Sequence, residues 1–267
     1  MTTTTRVAGP GAMLRAWRGR RRVSQMELAL AAGVSTRHLS FVETGRSGAS
    51  RALLGALADE LDIPARERNS LLLAAGYAPS YSHADLDDDA LWGVRAVLER
   101  LLAAHDPYPA LVVDRWGDVG LANVTAGALL QGVDPELLAP RMNIYRLSLH
   151  PGGLAPRIRN LAHWRAHLVH RLERQVRVTA DPRLADLLAE VRSYPAPSAA
   201  APGAPPVADV VLPLELEHPL GVLSLLSTVT TFGTPHDVTI AELAVETFFP
   251  ADAATRLALG RVGERSP

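Results

Sequence analysis

The sequence predicts two domains of different fold class: an all-helical N-terminal domain, then an α+β domain with a mostly antiparallel sheet. Residues 11–78 read as a run of short helices with capping residues and glycine stops. The polar, proline-bearing stretch "YAPSYSHADLDDD" breaks that pattern, and beyond it helical segments alternate with short β-branched runs. We expect a disordered N-terminus over 1–10, a helical domain over 11–78, a linker over 79–85 and an α+β domain over 86–260.

The first three helices of the N-terminal domain each have a recognisable start or stop. "AMLRAWRGRRR" supplies the first helix. Ser24, with Glu27 three residues later, forms a capping box that opens the second. Gly33 ends it, because glycine accepts the left-handed conformation of a tight break. Ser35 caps the third helix, which ends near Thr44–Gly45.

Two further helices complete a five-helix unit. "SRALLGALADELDI" places Leu53, Leu57 and Leu61 on one face of the fourth helix. Pro64 opens the fifth, which stops at Gly76. The domain is therefore predicted to be helical throughout.

The second domain mixes both kinds of element. It begins with the amphipathic helix "LWGVRAVLERLLAAH", and "PALVVDRW" and "DVGLANV" predict two strands around a turn at Asp114–Asp118. Helices are expected over "RIRNLAHWRAHLVHRLERQV" and "PRLADLLAEVRSY", and residues 195–206, "PAPSAAAPGAPP", predict an exposed flexible loop. "DVVLPLEL" and "GVLSLLSTVTTF" predict paired strands, and "ELAVETFF" predicts a last strand.

Composition limits the class of protein. The 267 residues are 48% hydrophobic, enough to bury a core in two ordinary domains. There is no apolar run long enough to span a membrane, and the N-terminus lacks the apolar core of a signal peptide. The absence of cysteine excludes disulfides and thiolate metal sites. We therefore expect a soluble, cytoplasmic protein.

The charges are unevenly distributed. Residues 1–79 hold 11 arginines against 6 acidic residues, a net charge of +5, whereas residues 80–267 have a net charge of −6. A basic first third beside an acidic remainder indicates that the first part meets a polyanion. Because the chain has no lysine, phosphate contacts must use arginine, hydroxyls or backbone groups.

The tight break at Gly33 makes the second and third helices cross steeply, as in a helix-turn-helix. Ala29 is small where the two helices pack closest, and Leu39 and Val42 point from the third helix into the core. The segment "SQMELALAAGVSTRHLSFVETGR" and the five-helix layout resemble the lambda-repressor-like, or XRE-family, helix-turn-helix domain.

That resemblance implies a set of DNA contacts. In the family, the Gln that opens helix two touches a phosphate, the front of helix three enters the major groove, and the following loop grips the backbone. The DNA-binding residues it implies are Ser24, Gln25, Ser35, Thr36, Arg37, His38, Phe41, Arg46, Ser47, Ser50 and Arg51. It also implies a structural pair between Arg18 in helix one and Glu43 at the end of helix three.

Some of these residues have a physical rationale of their own. Arg37 can reach O6 and N7 of guanine, a bidentate contact that discriminates by roughly 1–3 kcal/mol. Arg46 and Arg51 carry no base information but set the register. Phe41 replaces a polar residue often seen at its position, and is either a base contact against a thymine methyl or a core residue. The alternative for this face is a helical bundle with a merely solvated basic surface.

The second domain resembles the C-terminal domain of MmyB-like transcription regulators over about residues 86–255. The most recognisable features are the Asp-x-Trp of Asp114 and Trp116, then Asn123, and "HPGG" at His150. The resemblance implies a PAS-like fold that binds a small ligand, with a fatty-acyl molecule as one candidate.

The residues of this domain suggest an apolar cavity that Trp116, Tyr145 and Trp164 line. The alternative for each of these three is ordinary core packing, which we favour for any single one. For Asn123 and Asn160 we favour capping of turns or helices over ligand binding.

Metal and enzyme signatures are weak. His163, His167 and His170 share one face of a helix, but no H-E-x-x-H arrangement is present and the neighbouring arginines disfavour a cation. No sequence motif associates His150 with a candidate nucleophile. We therefore expect no catalytic residue, no metal and no cofactor.

The sequence thus predicts a cytoplasmic, nucleoid-associated transcription regulator. Its first domain reads double-stranded operator DNA, and its second senses a small apolar effector and helps to form a homodimer. A dimer would read two half-sites roughly 34 Å apart. In the alternative, the second domain only dimerises or recruits a protein partner. An apolar cavity favours sensing, and a filled core with a large exposed apolar patch favours the alternative.

Overall fold

The computed structural model describes residues 9–82, 86, 88–196, 212–232 and 237–264. The chain forms two compact units. The first runs through residue 82 and takes in residues 237–238, and the second holds the other described residues. The loop predicted over residues 195–206 lies outside the described residues except for its first two positions, as does the predicted N-terminal tail up to residue 8.

The first unit contains five α-helices among the described residues, as predicted. They are α1 Pro10–Arg21, α2 Gln25–Ala31, α3 Thr36–Glu43, α4 Arg51–Glu60 and α5 Ala65–Ala74. The capping box is confirmed: Ser24 accepts from the Glu27 backbone N–H, and Glu27 accepts from the Ser24 backbone N–H. Ser35 and Ser50 cap α3 and α4 by accepting from the backbone N–H groups of His38 and Leu53, without a reciprocal side-chain acceptor.

The core of the first unit comes from all five helices. α1 contributes Leu14 and Trp17, and α2 contributes Leu28 with the small Ala29. The predicted inward positions of Leu39 and Val42 are confirmed. On α4 the fully buried residues are Leu54 and Leu57, and Leu53 is only half-buried. Leu61 is also fully buried, so Leu57 and Leu61 lie in the core as predicted, and Leu54 is buried more deeply than Leu53.

The second unit interleaves helices and strands. The helices are α6 Trp92–His105, α7 Val124–Ala128, α8 Ile144–Leu149, α9 Leu161–Thr179, α10 Pro182–Ser193, α11 Val238–Glu242 and α12 Ala253–Glu264. The strands are β1 Ala110–Val113, β2 Val119–Ala122, β3 Leu214–His218, β4 Gly221–Thr231 and β5 Ala244–Pro250. Short 3₁₀ turns lie at Asp89–Leu91, Pro135–Leu137 and Ala155–Arg157.

Within the described residues the strands form one antiparallel sheet in the order β2-β1-β5-β4-β3. The last strand along the chain therefore lies in the middle, with Ala110 of β1 opposite Thr247 on one side and Ser227 of β4 opposite Phe248 on the other. The predicted fold class, a helical domain followed by an α+β domain with a mostly antiparallel sheet, is confirmed.

The two faces of the sheet are covered differently. Val112 and Val245 pack with Leu98 and Leu102 of α6 on one face. The larger cluster on the other face joins β3 and β4 to α8, α9, α10 and α12. In β1, Val112 packs with α6 while its neighbour Leu111 lines a cavity, which follows from the two-residue alternation of a strand. No helix in the described part of the chain is long and apolar enough to cross a membrane.

Candidate DNA interface and apolar cavity

The turn between α2 and α3 is closed by its own backbone. Gly33 has φ of +66°, a conformation that glycine adopts without a side-chain clash. The Val34 N–H donates to Ala29 O at 2.9 Å, and the Gly33 N–H donates to Leu30 O at 3.2 Å. The two helices therefore leave the turn at a fixed angle, with Ala29 buried between them.

The first turn of α3 presents its side chains outward. Thr36 and Arg37 are exposed and His38 is half-buried. The Ser35 hydroxyl accepts from the His38 backbone N–H at 3.1 Å, which fixes the start of the helix. The residues predicted to meet base edges thus lie together on one exposed turn.

Phe41 lies on the same surface, outside the apolar cluster that forms the core of the first unit's described residues. Its ring is half-buried and has the guanidinium carbon of Arg37 at 5.4 Å and that of Arg46 at 6.0 Å from its centre. A phenyl ring between two arginines holds both cations near the front of α3.

Glu43 at the end of α3 connects three elements. Its carboxylate accepts two hydrogen bonds from Arg18 of α1, at 2.7 and 3.0 Å, and one from Gln25 Nε2 of α2 at 2.7 Å. Arg18 also donates to Val23 O at 3.0 Å. Burial opposes ionisation of Glu43, but the hydrogen bonds from Arg18 and Gln25 outweigh burial and lower its pKa. The same contact raises the pKa of Arg18.

Gln25, the residue predicted to touch a phosphate, is therefore oriented by Glu43. A glutamine amide has two N–H donors, and Glu43 takes one of them. Its position at the first residue of α2, next to the Ser24 cap, leaves the remaining donor near the helix N-terminus. Helix N-termini favour anions.

The loop after α3 folds back on that helix. The backbone N–H groups of Arg46 and Ser47 both donate to Phe41 O, at 2.8 and 3.1 Å. Arg46 is exposed, and the Ser50 hydroxyl caps α4. Arg51 is also exposed, but its Nη2 donates to the Ser80 hydroxyl at 2.9 Å, a contact that the sequence did not suggest.

The second unit contains an apolar cavity of about 90 Å³ between the sheet and α9. Leucines dominate its wall, and the polar side chains there are Ser148 and Glu246, together with the indole of Trp164. Its lining residues are Pro109, Leu111, Ala126, Leu129, Leu130, Ile144, Leu147, Ser148, Leu154, Trp164, Leu168, Leu214, Leu216, Leu225, Glu246 and Phe248.

Of the three aromatic residues predicted for the cavity, only Trp164 lines it. Tyr145 is fully buried in the neighbouring core, and its hydroxyl donates to Gln175 Oε1 at 2.9 Å. Trp116 follows β1, where its Nε1 donates to Asp181 Oδ2 at 2.9 Å. Tyr145 is held by core packing, and Trp116 belongs to the polar network around the β1–β2 turn.

That network explains the Asp-x-Trp motif. Asp114 accepts from the backbone N–H groups of Trp116 and Asp118, at 2.8 and 2.9 Å, which closes the turn. Burial raises the pKa of Asp114. The buried Asp118 pairs with Arg183 and accepts from Asn143 Nδ2 at 2.8 Å. The motif therefore joins the β1–β2 turn to α8 and α10.

Both asparagines have structural roles, but of the two Asn123 alone caps a helix as the sequence favoured, whereas Asn160 precedes α9 without a side-chain cap hydrogen bond. Asn123 caps α7 by accepting from the Ala126 N–H at 3.0 Å, and it also accepts from the Ala110 N–H at 3.0 Å. Asn160 donates to Pro213 O at 2.7 Å and accepts from the Glu215 N–H at 3.2 Å. It therefore connects the start of α9 to β3.

The histidines of α9 do not converge on a metal site. Among the described residues, no group of three or more His, Asp or Glu side chains could hold a metal ion. His167 instead stacks on Trp164, with ring centroids 5.6 Å apart. His150 accepts from the Gly152 N–H at 3.0 Å and packs edge-on against Tyr194.

A tight two-helix turn with an exposed arginine-bearing helix, in a chain whose second unit contains an apolar cavity, is typical of a DNA-binding regulator. Comparison with known families agrees. Residues 11–71 match the model of a helix-turn-helix domain, and residues 94–261 match that of the MmyB-like transcription regulator ligand binding domain. The chain belongs to this MmyB-like family and is a helix-turn-helix transcription regulator with an MmyB-like ligand-binding domain.

Solved structures give a weaker comparison. The crystal structure of the clp gene regulator ClgR from Corynebacterium glutamicum is 30% identical and covers 37% of this chain and 90% of its own, with a TM-score of 0.23. The structure of an RNA-binding Light-Oxygen-Voltage receptor is 13% identical and covers 96% of this chain and 61% of its own, with a TM-score of 0.29. No curated protein matches the chain.

Proposed function

We propose that the front of α3 reads base edges in the major groove of an operator and that the flanking hydroxyls and arginines hold the phosphates. The outward position of Thr36 and Arg37 on the first turn of α3 carries this proposal. Arg37 is the base reader, since its guanidinium is exposed and supported by the Phe41 ring. The residues that contact the phosphate backbone of the DNA are Ser24, Gln25, Arg46, Ser47, Ser50 and Arg51.

Two substitutions separate base reading from phosphate binding. Arg37→Ala should weaken binding to the cognate site and relax the preference at one base pair, with a loss of about 1–3 kcal/mol. Arg46→Ala should weaken binding to all sequences and lower the slope of log K against log[salt] by about 1. Binding isotherms on cognate and scrambled duplexes at several salt concentrations measure both. If Arg37→Ala weakened all duplexes equally, Arg37 would not be the base reader.

We further propose that the second unit senses a small apolar molecule and that the ligand changes operator binding. The observation that carries this is the apolar cavity in a domain of the MmyB-like family. An apolar cavity of about 150 Å³ accommodates benzene, so a volume of about 90 Å³ holds roughly four non-hydrogen atoms. A short acyl chain fits that volume, and a long one requires the walls to move.

The alternative, in which the second unit only dimerises or recruits a protein, predicts a filled core. The cavity favours sensing over that alternative. A ligand regulates only if it binds one state of the protein better than another. We propose that those states are two geometries of a homodimer in the cytoplasm, each presenting two α3 helices to the operator.

Native mass spectrometry on the full chain, followed by solvent extraction, tests both parts. We expect a dimer that carries a small apolar molecule. Ala126→Leu, which adds three carbon atoms to the cavity wall, should abolish ligand retention. The matched control is Ala122→Leu, at an exposed position on β2, and should retain the ligand. Equal retention by both variants would place the ligand elsewhere.

A further inference from the structure

The face of the sheet that carries α6 is only partly covered by that helix. Leu98 and Leu102 of α6 pack with Val112 of β1 and Val245 of β5. Because side chains alternate along a strand, every second residue from Val245 points to this same face, as do the residues opposite them on β4. The residues that continue the face are Thr247 and Phe249 of β5 with Val222, Ser224, Leu226 and Thr228 of β4, and each is half-buried or exposed.

One side of α6 adds apolar residues to this face. Leu101 lies one turn before His105, whose ring centroid is 4.9 Å from that of Phe249, so Leu101 is on the side of α6 nearer to Phe249. Val97 lies one turn earlier still. Val97, Leu101, Val222 and Phe249 are between 37% and 47% exposed. Exposed apolar residues that share one surface indicate an interaction site, and we call this face together with Val97 and Leu101 the α6–β4 surface.

The α6–β4 surface has opposite charges at its two sides. On α6, Arg100 is exposed, and its Nε donates to Ala96 O at 3.3 Å, one turn earlier in the helix. On β3, at the far edge of the described sheet, Glu217 is exposed and lies opposite Val222 of β4, so both point to this face. A surface that is basic on one side, apolar in the middle and acidic on the other is complementary to a second copy of itself, because a two-fold axis brings each side against the other.

Strand β5 connects this surface to the apolar cavity. Phe248 lines the cavity, and the next residue, Phe249, points to the opposite face of the sheet. His105 Nε2 is 3.2 Å from Phe248 O, which joins the end of α6 to the same strand. A ligand that displaces β5 would therefore alter a contact made through the α6–β4 surface, as the proposed change in dimer geometry requires.

We propose that the α6–β4 surface is the contact between two copies of this chain in a two-fold homodimer. Val97 and Leu101 of one copy pack on β4 of the other, and Arg100 of each copy faces Glu217 of the other. This rests on the homodimer of the proposed function and names its interface. A second copy is favoured over an unrelated protein because a single surface carries both members of the charge pair.

A charge introduced into the apolar middle tests this interface on the full chain. Val97→Glu would bury an unpaired carboxylate from each copy and should raise the dimer dissociation constant at least about 100-fold in sedimentation equilibrium. Val124→Glu is the matched control, because Val124 is an exposed valine on α7, outside the α6–β4 surface, and it should change the constant by less than about twofold. Circular dichroism and thermal unfolding check that each variant is folded.

A charge exchange tests how the two copies are oriented. Arg100→Glu and Glu217→Arg each place like charges opposite one another, and each should raise the dissociation constant about tenfold at low salt. The double variant has opposite charges at both ends of the interface again and should return to within about threefold of the unaltered chain. Two independent effects on folding would instead add in the double variant.

The outcomes separate this inference from the function beneath it. If the unaltered chain is a dimer and Val97→Glu dimerises as tightly, the inference is overturned while the proposed homodimer stands. A double variant that fails to recover overturns the pairing of Arg100 with Glu217. If the unaltered chain stays monomeric, the inference and the homodimer both fail and the surface is left for a different protein, whereas ligand retention in native mass spectrometry still tests the sensing function.

Discussion

Breaking the ion pair between Arg18 and Glu43 is expected to destabilise the DNA-binding unit strongly. The Glu43 side chain is 0% exposed and that of Arg18 is 16% exposed. Arg18→Ala would leave the buried carboxylate with Gln25 as its one remaining side-chain donor. Removing one partner of a buried pair costs about 3–5 kcal/mol. Because water reaches Arg18, we expect the lower end, a loss of about 3 kcal/mol at pH 7.

That loss is large for a small helical unit, whose total free energy of unfolding is on the order of 4–10 kcal/mol. It should also depend on pH. In the unaltered chain the pKa of Glu43 is lowered, so the stabilisation is present above the ordinary value of 4.5 and is lost as the pH falls through the folded-state pKa. In the variant the unpaired buried carboxylate is relieved by protonation. The difference between the two proteins should therefore begin to shrink above pH 4.5, where the variant's carboxylate takes up a proton, and should shrink further below pH 4.5.

Urea unfolding at pH 7 and pH 4 measures this difference, with pulsed hydrogen exchange at a fixed labelling pH to follow peptides from α1, α2 and α3. Arg15→Ala, at an exposed position one turn earlier on α1, is the matched control: it removes a charge that lowers the pKa of Glu43 less than Arg18 does and makes no hydrogen bond to it, and it should change stability by less than about 0.5 kcal/mol. A loss below about 1 kcal/mol at pH 7, or an equal loss at both pH values, would refute an electrostatic origin.

Two further pairs of substitutions test packing and polar contacts. Gly11→Ala should destabilise the first unit by about 1–3 kcal/mol, because a Cβ there would lie 2.1 Å from Val42 O. Gly19→Ala in the same helix meets nothing within 4 Å and should stabilise the unit by up to about 1 kcal/mol. Thermal melts in which both variants changed stability with the same sign would contradict this. Asn123→Ala should cost the second unit about 2–4 kcal/mol, because it leaves two backbone N–H groups without their acceptor and Tyr108 O without its 2.7 Å donor. Asn123→Asp keeps the acceptor and should lose less in the same urea melts.

The helices of the first unit could be predicted because their signals are local. Ser24, Glu27 and Gly33 lie within ten residues and act on the backbone beside them. The orientation of Gln25 was not predictable, since it depends on Glu43 18 residues away and, through Glu43, on Arg18.

Contacts between residues that are distant in the sequence were even less predictable in the second unit. The sequence predicts the strands of "PALVVDRW" and "ELAVETFF" but not that they pair with each other, because the residues of a strand do not specify its partner strand. Trp116 was a candidate for the cavity wall, with ordinary core packing as the favoured alternative. Its hydrogen bond reaches Asp181, 65 residues further along, so no local signal indicated it. Helix α12 was not predicted, although Leu259 is fully buried.

The central position of β5 also limits how far the second unit can fold during synthesis. Until residue 250 has left the ribosome, β1 and β4 have no strand between them, and each hairpin presents an unpaired edge. The cavity wall is equally incomplete, because Glu246 and Phe248 come from that strand. During synthesis the nascent second unit therefore has neither a closed sheet nor a place for a ligand. A chain stopped before β5 would leave two separate hairpins exposed to aggregation.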